Sequence, residues 1–301
     1  MSSPSLAIQI TSAELKLLQA LVYQECGMYF DDRRLHFLEN RLVGRLKECR
    51  VESFYSYYRL LISAEGKKEL SQLLEDLTVN ETSFFRNKAQ LDLFHKHIFD
   101  EMIRKKEEAG DYSLRIWSAG CSTGQEPYTL AMLLADGLAY YRLRTPGGYS
   151  TISPKPLIPS PWKVGILASD INYSVLRAGQ EGIYSENQMS TVDYSYRLRY
   201  FDKVGDRYAI KKPVKELVHF DFHNLKTQYL PQGNDAIFCR NVMIYFDRAE
   251  QIRLVEKFRR CLHPGGYLFV GHAESLRGVN DRFTLIHRNG GSAYQRIEEA
   301  E

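Results

Sequence analysis

The sequence predicts an α/β protein, a mostly parallel sheet covered on both faces, preceded by a small all-α domain. Three observations predict it. Beyond about residue 110, nearly continuous apolar runs alternate with helical patterns, as buried parallel strands and their crossovers require. The first ~80 residues show helical periodicity with no strand-like alternation. Near the end, Phe283 to Arg288 and Ser292 to Ile297 flank Asn289-Gly290-Gly291, which predicts an antiparallel hairpin at one sheet edge.

In order, Thr11-Ser12-Ala13-Glu14 has the form of a capping box. Leu15, Leu18 and Val22 continue that helix, and Gly27 ends it. Asp31-Asp32 starts a second helix, with Leu35, Leu38, Leu42 and Leu46 on one side. A third covers Ser53 to about Ser63 and a fourth Lys68 to Leu77. Leu114-Arg115-Ile116-Trp117 reads as the first strand, and a helix follows from about Glu126 to Tyr141. Lys163 to Asp170 is the next strand, with a helix from Asn172 to about Gly179. Ala236-Ile237-Phe238-Cys239 is a further strand, closed by Arg240-Asn241. Arg248 to Leu262 forms an amphipathic helix stopped by Pro264-Gly265-Gly266, and Tyr267 to Gly271 follows as a strand. The expected domains are residues 1–78 and 79–301, with 79–90 as a connecting linker. Residues 142–162 hold five of the ten prolines and read as a surface loop, while 190–215 read as a small antiparallel insertion.

Composition narrows the function. The chain of 301 residues is 44% hydrophobic and 26% charged, which excludes disorder, collagen and a disulfide scaffold. No apolar run approaches the roughly 20 residues of a membrane helix. The first sixteen residues lack a basic stretch followed by an apolar core, so no secretory signal is expected. Forty basic against 37 acidic residues give no charge argument for nucleic-acid binding. Five widely spaced cysteines contain no C-x-x-C pair, so neither a disulfide framework nor a zinc site is indicated, and a cytoplasmic protein is expected.

In an open parallel sheet, ligands sit beyond the carboxyl ends of the strands. Gly120 to Gly124 follow the first strand, where small residues admit a ligand to the backbone and the next helix offers N–H groups. Asp170 ends the second, placed to accept from both hydroxyls of a ribose. Taken together these favour a nucleoside-containing cofactor. The G-x-G-x-x-G fingerprint of dinucleotide sites is absent, Asp170 lies fifty residues beyond Gly120, and there is no P-loop. The weight shifts to S-adenosylmethionine.

Six blocks carry a family resemblance. Asn80 to Arg86 (NETSFFR) resembles the linker of chemotaxis receptor glutamate methyltransferases, the CheR type. Trp117 to Tyr128 resembles their cofactor loop, and Ala168 to Asn172, Phe222 to Leu225, Phe238 to Phe246 and Gly271 to Ser275 match further blocks in order. The resemblance spans nearly the whole chain. It implies a Rossmann-like methyltransferase sheet with an edge hairpin behind an all-α domain that recognises receptors. It also implies S-adenosylmethionine-dependent methyl esterification of glutamates on the cytoplasmic signalling helices of chemoreceptors. Methyl transfer to another acceptor, and a non-catalytic module binding cofactor or receptor, remain the alternatives.

The implied roles fall on particular residues. Asn80, Thr82 and Arg86 reach the cofactor from the linker, and Arg86 binds the methionyl carboxylate, the acceptor carboxylate, or each in turn. Glu126 accepts from the cofactor's amino group and Asp170 from its ribose, while Asn224 and Leu225 flank the adenine. Asn241 and Val242 close the pocket near the methionyl portion. Tyr245 either orients the acceptor or is plain core. A glutamate acceptor is already ionised near pH 7, so the chemistry requires neither a strong base nor a metal. His95, His97, His219, His223 and His272 fit no zinc spacing and are expected to be solvated or structural. Arg34, Arg41 and Arg45 fall within roughly 40° on one helix, a basic face for an acidic receptor helix. The insertion around Phe201 to Ile210 lacks an extended glycine-rich loop, which argues against capture of a receptor tail peptide. No direct membrane insertion and a monomer are expected.

Overall fold

The computed structural model describes residues 10–144 and 157–298, so most of the expected 142–162 loop lies outside the described residues. The chain divides into two compact units, Met1–Val79 with Ile244–Glu250, and Asn80–Met243 with Gln251–Glu301.

The first unit is built from α1 (Ser12–Cys26), α2 (Leu35–Cys49), α3 (Phe54–Leu61) and α4 (Lys67–Leu77). The capping box forms as the sequence predicts. The Thr11 hydroxyl accepts from the Glu14 N–H at 3.3 Å and the Glu14 carboxylate accepts from the Thr11 N–H at 3.0 Å. Gly27 closes α1 in the left-handed conformation, φ +79°. Leu38, Leu42 and Leu46, four apart along α2, are buried. The segment Ile244–Glu250 packs with these helices: the Tyr29 N–H donates to the Tyr245 carbonyl at 2.8 Å, and the Tyr23 hydroxyl to Asp247 at 3.1 Å.

Arg45 corrects the expected basic face. Its side chain is buried, not presented to a partner. The guanidinium donates to Glu69 at 2.9 Å and to Glu48 at 2.6 Å, with Asp76 at 3.4 Å. Arg34 and Arg41 lie over aromatic rings, Arg34 over Phe30 and Tyr245 and Arg41 over Phe37, at 5.0 to 5.3 Å. Helical spacing placed three arginines together but could not tell which one turns inward.

The second unit carries a seven-stranded sheet. Its strands are β1 (Ser113–Ala119), β2 (Lys163–Asp170), β6 (Val218–Phe222), β7 (Asn234–Cys239), β8 (Leu262–Val270), β9 (Phe283–Arg288) and β10 (Gly291–Arg296), in the order β6-β2-β1-β7-β8-β10-β9. The first five are parallel, and the hairpin β9–β10 adds antiparallel at the β8 edge. From β1 the chain builds outward through β2 and β6, then returns to lay β7 on the other side of β1. The reversal lies between β1 and β7, where ligands enter such sheets. All six residues of β7 are buried, whereas the edge strand β6 buries only Phe220.

Helices α7 (Gln125–Arg144), α8 (Tyr173–Glu181) and α11 (Arg248–Cys261) accompany the sheet. A further rod, α5 (Lys88–Leu93), a π-helical turn Phe94–Ile98 and α6 (Phe99–Glu108), was not foreseen. Its Phe94 stands edge-on to Phe238 and Phe269, at 5.3 and 5.6 Å, and those two rings stack at 4.2 Å across β7 and β8. The expected insertion at 190–215 begins earlier. A three-stranded sheet joins β3 (Ile183–Ser185), β5 (Arg207–Ile210) and β4 (Phe201–Val204), with α9 (Tyr194–Tyr200) between β3 and β4 and α10 (Lys212–Lys215) after β5. Three residues of β3 are too few to register as alternation. The Pro-Gly-Gly stretch does not precede β8 but lies within it, where the pairing with β7 skips between Asn234 and Ala236. Among the described residues no helix is long and apolar enough to cross a membrane.

Candidate functional site

Nine of the ten predicted site residues belong to the second unit. Their scaffold is the turn after β1. The N–H groups of Gly120 and Cys121 both donate to the Ser169 carbonyl of β2, at 2.8 and 2.9 Å. Gly120 sits at φ +84°, and a Cβ there would collide with Val242 Cγ2. A residue without a side chain is therefore required between the two strand ends. Ser122, left-handed at φ 49°, joins two other segments. Its N–H donates to Asp170 Oδ2 and its hydroxyl to the Asn80 carbonyl, each at 2.9 Å.

Asp170 is buried, and its Oδ1 accepts from the Asn172 N–H at 3.1 Å. Both carboxylate oxygens are thus oriented by backbone N–H groups. The Asp170 carbonyl accepts from the His223 N–H at 2.9 Å, and this fixes the start of the turn that carries Asn224 and Leu225. Asn224 Oδ1 accepts from the Lys226 N–H at 3.0 Å, and the Lys257 ammonium closes the turn on the Lys226 and Thr227 carbonyls at 2.9 Å.

Glu126 stands in the first turn of α7 and is buried. Its Oε1 accepts from the Ser118 hydroxyl and its Oε2 from Arg240 Nε, both at 2.7 Å. Each oxygen keeps a second lone pair for another donor. Asn241, left-handed at φ 61°, follows β7, and its N–H donates to Glu274 at 3.0 Å. Glu274 also accepts from the Gly271 N–H at 2.5 Å, tying the end of β8 to the end of β7.

The linker is held in an uncommon conformation. Phe85 and Asn87 are left-handed at φ 52° and 59°, on either side of Arg86. For an aromatic residue that region costs about 1–3 kcal/mol unless its surroundings enforce it. They do: the Phe85 N–H donates to the Thr129 hydroxyl at 3.2 Å, the Phe84 carbonyl accepts from Thr191 at 2.7 Å, and the Arg86 carbonyl accepts from Arg240 at 2.8 Å. Asn80, Thr82 and Arg86 are half-buried. Among the described residues, the Arg86 guanidinium donates only to the Glu81 carbonyl, at 2.9 Å, leaving most of its five N–H donors for other partners.

Tyr245 belongs to the first unit, on a short 3-10 turn, Met243–Tyr245. Its hydroxyl donates to the Val79 carbonyl at 3.4 Å.

Burial pushes the Cys121 thiol well up, and the charges of Asp170 and Glu126 push it further, so it stays a protonated hydrophobe. Burial pushes His223 and His95 down, toward the neutral form. Among the described residues no group of three or more His, Cys, Asp and Glu is placed to hold a metal ion. Arg240 and Glu274 were quoted in sequence blocks without a role. Arg240 directly follows β7, as the strand-end reading expects, and Glu274 lies four residues beyond β8; their contacts reveal what each holds.

A buried carboxylate at the end of β2, a second in the first turn of α7, the glycine turn after β1 and a cationic linker suit a nucleoside that carries both an amino group and a carboxylate. The comparisons with known proteins agree. Residues 13–78 match the family model of the CheR methyltransferase all-alpha domain, and residues 80–145 and 157–291 that of the CheR methyltransferase SAM binding domain. The chain is 34% identical over 277 residues to a chemotaxis protein methyltransferase of Borreliella burgdorferi, covering 91% of this chain and 92% of the relative. It is also 34% identical over 284 residues to the chemotaxis protein methyltransferase of Escherichia coli, covering 92% and 90%. The chain belongs to the CheR methyltransferase family and is an S-adenosylmethionine-dependent methyltransferase of chemotaxis.

Proposed function

We propose that the protein esterifies glutamate side chains on the cytoplasmic signalling helices of chemoreceptors, and does so in the cytoplasm. The observation that carries this reading is Arg86, a half-buried guanidinium with most of its donors uncommitted among the described residues, set in a linker tied to Thr129, Thr191 and Arg240. Such a fork suits a carboxylate. Membership of a chemotaxis methyltransferase family supports a receptor as the source of that carboxylate.

When bound, S-adenosylmethionine supplies an electrophilic methyl group on a sulfonium. The chain's residues do the rest. Asp170 accepts from the ribose hydroxyls and Glu126 from the amino group, while Asn224 and Leu225 flank the adenine. Asn80, Thr82, Asn241 and Val242 line the remainder. Arg86 steers the acceptor carboxylate or the cofactor's own, and Tyr245 orients the acceptor through its hydroxyl. The acceptor attacks as an anion, so no residue need remove a proton. Alignment is the main contribution, worth about 7–11 kcal/mol where it is complete. Charge is neutralised along the reaction, so a drier site favours it. The helical unit recognises the receptor, with Arg34 just before α2 and Arg41 on it, but not Arg45, available for contact.

Transfer of a labelled methyl group to receptor membranes tests the reading. The expected product is an alkali-labile ester that releases methanol. Label found only in base-stable products would rule out a carboxylate acceptor.

A further inference from the structure

The residue after β7 makes contacts that the proposed roles do not use. Arg240 is buried, with its side chain 5% exposed. Its guanidinium reaches three segments: Nε donates to Glu126 Oε2 at 2.7 Å, and Nη1 donates to the Arg86 carbonyl at 2.8 Å and to Gln90 Oε1 at 3.3 Å. Gln90 is itself anchored, its amide donating to the Val270 carbonyl at 2.9 Å and the Ser292 carbonyl at 2.8 Å. One cation thus joins the linker, the first turn of α7 and the head of α5, and through Gln90 the ends of β8 and β10.

We propose that Arg240 is a positioning residue of the methyl-transfer site, fixing the Glu126 carboxylate and the Arg86 backbone in the arrangement that binds the cofactor. Three observations support this. A buried ion pair gives little net stability over an apolar pair of similar volume, so its presence here calls for another use. The Glu126 carboxylate is held from two sides, by Ser118 and Arg240, which leaves little freedom to turn. The segment that Arg240 holds by its carbonyl is the one where Phe85 and Asn87 are left-handed, so Arg86 needs an external tie to keep its place. Arg240 can serve as that tie because its own backbone continues a fully buried central strand.

The inference rests on the reading of Glu126 as a cofactor contact, and the experiment separates the two. S-adenosylhomocysteine is titrated calorimetrically into the full-length protein, the Arg240→Gln, Arg240→Lys and Glu126→Gln variants, and the Glu126→Gln/Arg240→Gln double variant. Thermal unfolding checks each fold. The expected result is that Arg240→Gln weakens binding about tenfold or more, and by a clearly smaller factor when Glu126 is already Gln, the remainder reporting the tie to the Arg86 carbonyl. Arg240→Lys keeps the charge without the fork and recovers only part of the affinity. It carries the same comparison if Arg240→Gln does not fold. Unchanged binding in a folded Arg240 variant, or the same fold-loss with and without Glu126, overturns the proposal. If Glu126→Gln itself binds like the unaltered protein, the reading of the cofactor contact falls and takes this inference with it. If Glu126→Gln weakens binding and Arg240→Gln does not, only the inference falls.

Discussion

Val242 occupies the space that a side chain on Gly120 would need: its Cγ2 lies within the van der Waals envelope of a Cβ built there. The contact brings together the turn after β1 and the residues after β7, the two strands between which the sheet reverses.

Gly120→Ala should therefore carry two penalties, the collision with Val242 and a left-handed φ of +84°. The expected cost is about 2 kcal/mol of stability, since non-glycine strain of this kind runs about 1–3 kcal/mol. Binding of S-adenosylhomocysteine should weaken at least tenfold, by roughly the 1.4 kcal/mol that a tenfold change represents. Thermal unfolding and calorimetry read the two effects separately. Normal affinity in a destabilised variant would place this turn away from the cofactor.

Arg86 and Tyr245 should separate by what each loses. Arg86→Ala removes the uncommitted fork and should lower methyl transfer by roughly 100-fold or more, with unfolding unchanged because the guanidinium makes one backbone hydrogen bond. Arg86→Lys restores the charge but not the planar fork and should recover little. Tyr245→Phe deletes only a hydroxyl that bonds the Val79 carbonyl at 3.4 Å. If that hydroxyl orients the acceptor, turnover falls about tenfold while cofactor affinity stays constant, since the group then acts on the acceptor alone. Unchanged turnover would return Tyr245 to a packing role.

Arg45 should matter for stability and not for docking. Arg45→Met leaves Glu69 and Asp76 without their cation and should cost about 3 kcal/mol, the penalty of breaking one side of a buried pair. The same network sets a pH dependence. Burial alone would raise the Glu69 carboxyl, but hydrogen bonds from Arg45 and Tyr57 outweigh it and hold it below its ordinary 4.5. A carboxyl lowered in the folded state contributes stability above its unfolded value, and that contribution disappears as the pH falls through the folded value. Thermal unfolding followed from pH 7 downward should show this loss beginning below about 4.5 in the unaltered protein and shrinking in Arg45→Met. An identical slope in both would remove Glu69 from the acid response.

Much of the fold could be read from residue order because the signals are local. The capping box at Thr11, the glycine stop at Gly27, the apolar run ending at Asp170 and the Asn289-Gly290 turn each act within a few residues, and each forms where expected. The features that escaped are those without a local signature. Strand β6 alternates Val-His-Phe-Asp-Phe, but it spans only five residues at the sheet edge, too short a run to stand out from its surroundings. Strand β3 has three residues. The rod from Lys88 to Glu108 contains a π-helical turn that shifts the spacing of its apolar residues.

For the site, the sequence by itself determined the chemistry: small residues after one strand and an acid after the next point to a nucleoside cofactor with a methyl donor as the leading choice, and the family resemblance adds the cationic linker. Tertiary structure decided how those groups are held. It turned Arg45 inward, grouped Ile244–Glu250 with the helices, and made Arg240 the partner of Glu126, 114 residues away in the chain. The physical reason is range. Caps, turns and apolar periodicity are set by neighbours within one or two turns of chain. The partner of a buried charge is chosen by whichever distant group the folded backbone brings within hydrogen-bonding distance, and a desolvated charge must find one.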